Sequence, residues 1–204
     1  MAKGIDARND CSGIAQDLLD AGVEFVARYY ANSGAKVLSQ GEARTLSQAG
    51  LQLVAVWEDG YPTKAPYFSY AKGVDDASSA FHDALIVGQP IDSPIYFAVD
   101  YDATNSDISG PINDYFRGIA VGLAASSGGA PVHPVGVYGS GAACSFLLAR
   151  NLATVAWLSM SPGFLGSKDF GAWDIKQSRD PQQFGGIAAD LDEGVGDYGG
   201  FQIG

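Results

Sequence analysis

Short apolar runs alternate with amphipathic stretches along the whole chain, a pattern typical of repeated β-α units. Pro94 precedes the clearest run, 95–99, which reads Ile-Tyr-Phe-Ala-Val. The capping-box spacing of Ser39 and Glu42 begins a predicted helix that Gly50 ends. The predicted strands are 4–6, 25–29, 51–57, 95–99, 135–138, 153–158, 172–177 and 187–190. The predicted helices are 13–21, 39–49, 74–87, 112–125 and 141–150.

Eight strand candidates separated mostly by helices predict an α/β fold, a compact (β/α)8 TIM barrel with a parallel sheet. A doubly wound open sheet is the alternative, but no glycine-rich phosphate loop follows any predicted strand. The last two strands lack convincing helices, so we expect a barrel trimmed in its C-terminal half. We find no internal linker, and therefore expect a single domain over 1–204.

Composition narrows the classes of partner. The formal net charge is −11, and no Lys/Arg cluster stands out, which argues against nucleic acid and anionic membrane surfaces. No apolar run approaches the roughly 20 residues that cross a bilayer, so we expect no membrane insertion. Cys11 and Cys144 lack metal-binding spacing, and Met1-Ala2-Lys3 leads directly into domain sequence rather than a signal peptide. We expect a monomer with no metal and no cofactor.

Acidic side chains recur where the predicted strands end, which in a barrel is where catalytic groups lie. Strand alternation places Tyr96, Ala98, Asp100 and Asp102 on one face, so both carboxylates are expected to reach the barrel mouth together. Two nearby carboxyls with separated pKa values are what glycoside hydrolysis requires. The candidates at strand ends are Asp6, Arg28, Tyr29, Tyr30, Glu58, Asp100, Asp102, Tyr138, Trp157, Gln177, Asp190 and Asp192.

Other interpretations of these residues stay open. Asp6 could form an ion pair with Arg8 or Arg28, and Glu58 could be a solvated loop acid. The Asp-x-Asp pair at 100 and 102 could instead bind Mg²⁺ or Ca²⁺ through oxygen ligands, as in a metal-dependent hydrolase.

Several segments together resemble a known family. They are Gly4-Ile5-Asp6, Val-Ala-Arg-Tyr-Tyr at 26–30, Pro-Ile-Tyr-Phe-Ala-Val-Asp-Tyr-Asp at 94–102 and Val-Gly-Val-Tyr-Gly-Ser at 135–140. The chain resembles the bacterial glycoside-hydrolase-like domain of unknown function, a TIM-barrel family related to the Chalaropsis-type, family twenty-five lysozymes. The resemblance covers most of the chain.

The resemblance implies roles for individual residues. Asp6 and Asp190 resemble acids of the first and eighth strands of the lysozymes. Asp100 and Asp102 occupy the positions of an Asp-x-Glu pair whose Glu is the general acid, and Gln177 matches a late Trp-Gln segment. Asp102 is one methylene shorter than that Glu, so Glu58 is a possible substitute acid.

We therefore expect a lysozyme-like glycoside hydrolase that acts on a bacterial cell-wall glycan of the peptidoglycan type. The expected catalytic residues are Asp6, Glu58, Asp100, Asp102 and Asp190, and the expected substrate-binding residues are Arg28, Tyr30, Tyr138, Trp157, Gln177 and Asp192. The main alternative is a barrel that binds wall glycan or another saccharide without cleaving it. Action on the wall would follow secretion or delivery, as for a phage lysin or an effector.

Overall fold

Eight strands form a closed barrel in the computed structural model, which describes residues 1–178 and 181–204. The hydrogen-bonded order is β1-β2-β3-β4-β5-β6-β7-β9, and β9 pairs back to β1. This confirms the predicted compact barrel. The strands are β1 Ala2–Asp6, β2 Phe25–Tyr30, β3 Gln52–Trp57, β4 Ile95–Ala98, β5 Val135–Gly139, β6 Val155–Leu158, β7 Ile175–Gln177, β8 Gln182–Phe184 and β9 Ile187–Gly194.

Helices follow only the first five strands within the described part of the chain, which is the predicted C-terminal trimming. They are α1 Ala15–Asp20, α2 Gln40–Ala49, α3 Tyr70–Val87, α4 Asn105–Asp107, α5 Asn113–Ser126 and α6 Gly141–Ala149. One π-helical turn, Ile108–Ile112, joins α4 to α5, and 3-10 turns occur at Ser12–Ile14 and Ala65–Tyr67. None of the described helices is long and apolar enough to span a membrane.

The final barrel strand runs antiparallel to both of its neighbours, β7 and β1, and this corrects the expectation of an all-parallel sheet. The unpredicted strand β8 forms a hairpin with β9 through Gly185 and Gly186, whose φ angles are 53° and 87°. A two-residue hairpin loop favours such positive φ angles, which glycine adopts without a Cβ clash. Because β9 runs downwards, Asp190 lies opposite Asp6, and Asp192 lies deeper, opposite Gly4.

The barrel separates two apolar layers. Inward positions of the strands fill the barrel with Phe25, Ala27, Val54, Val56, Tyr96, Ala98, Trp157 and Ile175. Outward positions pack beneath the helices. In this outer layer, the backbones of α3 and α5 lie in direct contact. A Cβ on Gly73 would overlap the carbonyl oxygen of Tyr115, so the position requires glycine.

Candidate active site

An open cleft of about 630 Å³ lies at the carboxyl ends of the parallel strands, where a barrel places its functional groups. Acids outnumber cations along its walls. Its acids are Asp6, Glu58, Asp59, Asp100 and Asp190, its cations are Arg8 and Lys36, and its aromatic residues are Tyr29, Tyr61, Tyr138 and Trp157.

Asp6 lies at the floor of the cleft, where its side chain belongs to a residue only 5% exposed. The Tyr29 hydroxyl donates to Asp6 Oδ1 at 2.9 Å, and Gln177 Nε2 donates to Oδ2 at 2.6 Å. Burial raises the pKa of Asp6 to about 6, against these two hydrogen bonds and with further help from the charges of Asp190 and Glu58. Asp6 can therefore change its protonation state near neutral pH.

Glu58 and Asp100 line the same cleft from the ends of neighbouring strands. Burial raises the pKa of Glu58, while Lys36, whose Nζ lies 3.3 Å from Glu58 Oε1, opposes the shift, and Asp100 adds to it. Partial burial also raises the pKa of Asp100. The charge of Asp100 thus favours the protonated form of Glu58, as expected of a pair that divides acid and base roles.

Asp102 lies outside the cleft, which corrects its expected place beside Asp100. The strand β4 ends at Ala98, so the alternation that points Tyr96 and Ala98 inward does not extend to Asp102. Its exposed carboxylate instead accepts a hydrogen bond of 2.7 Å from the backbone N–H of Leu165. Across residues 1–178 and 181–204, no group of three or more His, Cys, Asp or Glu side chains could hold a metal ion.

Arg28 and Tyr30 are fully buried in the layer between sheet and helices, which corrects their expected contact with substrate. Arg28 Nε lies 2.7 Å from Glu42 Oε1, and its Nη1 donates to the carbonyl of Ala7. The Tyr30 hydroxyl donates to Gln89 Oε1 at 2.8 Å. Both residues occupy outward positions of β2, and neither lines the cleft.

The cleft is lined by three of the expected substrate-binding residues, Tyr138, Trp157 and Gln177. Each of them forms a hydrogen bond to another side chain of the protein. The Tyr138 hydroxyl donates to Gln177 Oε1 at 2.9 Å, and Trp157 Nε1 donates to Asp192 Oδ1 at 3.0 Å. Asp192 itself is 1% exposed and does not line the cleft. Its expected contact with substrate is therefore corrected, since it lies behind Trp157 in the barrel interior.

Tyr29 was named at the end of its strand but given no role, and Lys36 and Tyr61 were not named from the sequence. Tyr29 alternates with Phe25 and Ala27 on the inward face of β2, so the period-2 rule applied to that strand would have separated it from Arg28 and Tyr30. Tyr61 stands at the cleft rim, 81% exposed, with a left-handed φ of 62°. No sequence pattern signals Tyr61 beyond its place in the loop after β3.

Comparisons with known proteins agree with this architecture. FadG of Bacillus subtilis strain 168, an uncharacterized protein, is 31% identical over 158 residues, which cover 75% of this chain and 27% of FadG. The chain thus spans about a quarter of the length of the curated relatives it matches.

Two solved structures share the fold. The Mycobacterium tuberculosis Tat-secreted protein Rv2525c, crystallised with L-tartrate, matches with a TM-score of 0.82 at 20% identity and 98% coverage of both chains. A family 25 glycosyl hydrolase from Bacillus anthracis matches with a TM-score of 0.60 at 14% identity, covering 97% of this chain and 90% of the other.

The family comparison covers most of the barrel. Residues 16–197 match the model of the Rv2525c-like, glycoside hydrolase-like domain, from α1 to the loop after β9. The strands that carry Tyr29, Glu58, Tyr138, Gln177 and Asp190, or that lead directly to them, all fall within this match. The chain belongs to the Rv2525c-like, glycoside hydrolase-like domain family.

Proposed function

We propose that this domain hydrolyses glycosidic bonds of a bacterial cell-wall glycan of the peptidoglycan type. The observation that carries the proposal is the pair Glu58 and Asp100, two carboxyls that line one cleft and whose pKa values burial raises, with the charge of Asp100 raising that of Glu58 further. Glycoside hydrolysis needs one carboxyl that is protonated and one that is ionised. The fold shared with a family 25 glycosyl hydrolase supports the same reaction class.

Burial assigns the two roles within this proposal. Glu58 has 28% of its side chain exposed, whereas Asp100 is an exposed residue at the rim. The more buried carboxyl retains its proton more readily, so Glu58 is the proton donor to the leaving oxygen and Asp100 the ionised partner. Asp100 then serves as base, as nucleophile, or by orienting an N-acetyl group. Asp6 and Asp190 hold substrate, and the charge of Asp190 helps to raise the pKa of Asp6.

The shape of the cleft supports a polymer as substrate. A second cavity of about 420 Å³ adjoins the cleft and shares Met160 and Gln177 with it. A glycan that extends past Met160 and Gln177 would contact both cavities with successive sugar units. The exposed ring of Tyr61 at the rim offers a surface on which a sugar ring can stack. We place the site of action at the cell wall, in keeping with the Tat-secreted relative.

Release of reducing ends from purified cell walls tests the proposal. Glu58→Gln and Asp100→Asn should each lower the rate of hydrolysis by roughly 10²-fold or more, because the first removes the proton donor and the second removes its ionised partner. Asp102→Asn is the matched control, since it neutralises an exposed carboxylate outside the cleft. Full activity in Glu58→Gln and Asp100→Asn would refute the roles assigned to these two carboxyls. Absence of activity in the wild type on any wall preparation would refute hydrolysis.

One observation favours a second candidate function, saccharide binding without cleavage. Lys36 lies 3.3 Å from Glu58 and stabilises the ionised carboxylate, which cannot donate a proton. A binding barrel would co-sediment with walls and release no reducing ends. Its binding would weaken in Tyr61→Ala and would be insensitive to Glu58→Gln, whereas a hydrolase would lose turnover in Glu58→Gln while retaining binding.

A further inference from the structure

One carboxyl oxygen of Asp192 is buried without a hydrogen-bond donor in the described part of the chain. The residue is 1% exposed, and its Oδ1 accepts the hydrogen bond from Trp157 Nε1 at 3.0 Å. Its Oδ2 is fully buried and has no hydrogen-bond partner among the residues that the structure describes. A buried carboxylate oxygen in that condition is costly, because it has lost its water and gained nothing in exchange.

The register of the barrel places a second carboxyl beside this oxygen. Asp192 pairs with Gly4 on β1 and with Gln177 on β7. Gly4 has no side chain, and the ring of Phe25 occupies the place where its Cβ would lie. The next inward residue of β1 is Asp6. The carboxyl of Asp6 lies within hydrogen-bonding reach of Asp192.

Within residues 1–178 and 181–204, this pair of carboxyls has no cationic partner. Among the described residues, neither Asp6 nor Asp192 forms an ion pair with Lys or Arg. Trp157 and Gln177, the neighbours from β6 and β7, are neutral donors. The titratable groups that face the pair from the other strands are Tyr29, Glu58, Asp100, Tyr138 and Asp190.

We infer that Asp192 is a positioning residue that holds a proton at neutral pH and donates it to Asp6 in a buried O–H···O hydrogen bond. The proton gives Asp192 Oδ2 its missing partner and gives Asp6 a third donor, after Tyr29 and Gln177. Burial and the charge of Asp6 both raise the pKa of Asp192 well above its ordinary value, in the direction that this proton requires.

The stored proton fixes the orientation of the carboxyl at the floor of the cleft. With three donors around it, Asp6 presents the same face to the cleft whether a ligand is bound or not. Asp192 holds this proton in the folded chain whether the cleft cleaves a glycan or only binds one.

Unfolding must release this proton at any pH above the ordinary pKa of an aspartate, about 4. The unfolding equilibrium constant of the wild type then contains a factor that rises tenfold per pH unit until the native Asp192 ionises. Asp192→Asn keeps a donor of the same shape, an N–H in place of the O–H, and removes that factor. Asp102→Asn, on the exposed carboxylate that accepts from Leu165, is the matched control.

Urea unfolding of the wild type, Asp192→Asn and Asp102→Asn between pH 5 and 8 tests the inference. The logarithm of the unfolding constant should rise with pH by about one unit per pH unit more in the wild type and Asp102→Asn than in Asp192→Asn. Equal slopes in all three proteins would overturn it.

Infrared spectroscopy on the folded protein gives a second readout that a merely structural role would not move. At pH 8, the carbonyl stretch of a protonated carboxylic acid should be present in the wild type and in Asp102→Asn and absent in Asp192→Asn. Absence of that band from the wild type, or its persistence in Asp192→Asn, would overturn the inference. Neither measurement involves a substrate, so failure here is distinct from failure of the proposed hydrolysis.

Discussion

The Tyr29 hydroxyl controls the ionisation of Asp6, and Tyr29→Phe measures how strongly. Tyr29 and Gln177 each donate a side-chain hydrogen bond to the Asp6 carboxylate, the one from Tyr29 at 2.9 Å, and both bonds oppose the effect of burial on its pKa. A hydrogen bond to a charged group contributes about 1.5–3 kcal/mol, which corresponds to about 1 to 2 pKa units. The pKa of Asp6 should therefore rise from about 6 in the wild type to about 7–8 in the variant.

The assay is an NMR titration of the side-chain carboxyl carbons in protein labelled at aspartate. Tyr138→Phe is the matched control, because the Tyr138 hydroxyl bonds to Gln177 rather than to Asp6. The reasoning would be refuted if Tyr29→Phe left the pKa of Asp6 at or below about 6, or if Tyr138→Phe raised that pKa equally.

The free energy of unfolding should also depend on the protonation of Asp6. The pKa of Asp6 is higher in the folded protein than in the unfolded chain, so its contribution to stability is complete at acidic pH and is lost as pH rises through the folded value. Tyr29→Phe extends that loss to higher pH. Its effect on the free energy of unfolding should be small at pH 5 and should grow to about 1.5–3 kcal/mol by pH 8.

Three further substitutions test other parts of the structure. Gly73→Ala should separate α3 from α5 by forcing a Cβ against the carbonyl of Tyr115, with a loss of about 1–3 kcal/mol seen in urea unfolding; an unchanged midpoint would contradict the packing. Glu42→Gln should cost about 3–5 kcal/mol, because it leaves the buried Arg28 charge unpaired, and the loss should shrink when Arg28 is also replaced by Met. Tyr61→Gly should weaken saccharide binding measured by calorimetry, and it should raise the free energy of unfolding by about 1 kcal/mol because glycine adopts the left-handed backbone of this residue without strain. Unchanged binding together with a lower free energy of unfolding would contradict the role of Tyr61 as an exposed stacking surface.

Much of the barrel could be predicted from the sequence because buried parallel strands leave a strong apolar signal. The run Ile-Tyr-Phe-Ala-Val at 95–99 predicted β4 and the inward direction of Tyr96 and Ala98. The direction of β9 could not be predicted from apolar periodicity, which is the same for a strand that runs up or down. The two-residue Gly185-Gly186 loop was the local signal for the reversal.

The candidate site was predicted less well, for reasons that differ from residue to residue. Arg28 and Tyr30 adjoin a strand end in sequence, but the period of two turns them outward and turns Tyr29 inward. Asp102 lies beyond the end of β4, where strand alternation no longer determines direction. Tyr61 reaches the rim through the loop conformation, which composition alone does not determine.

The pairing of β9 with β1 has a consequence for how the protein acquires its cleft. Asp6 and Gln177 are 171 residues apart in the sequence, and the acids of β9 lie still further along it, so Asp6 acquires these neighbours only after β7 and β9 have been made. Contacts of such large sequence separation form late and slow folding. Until β9 docks, β1 is an open edge strand that can pair with another chain. We therefore expect refolding intermediates to aggregate readily and to acquire the unusual ionisation of Asp6 only in the last kinetic phase.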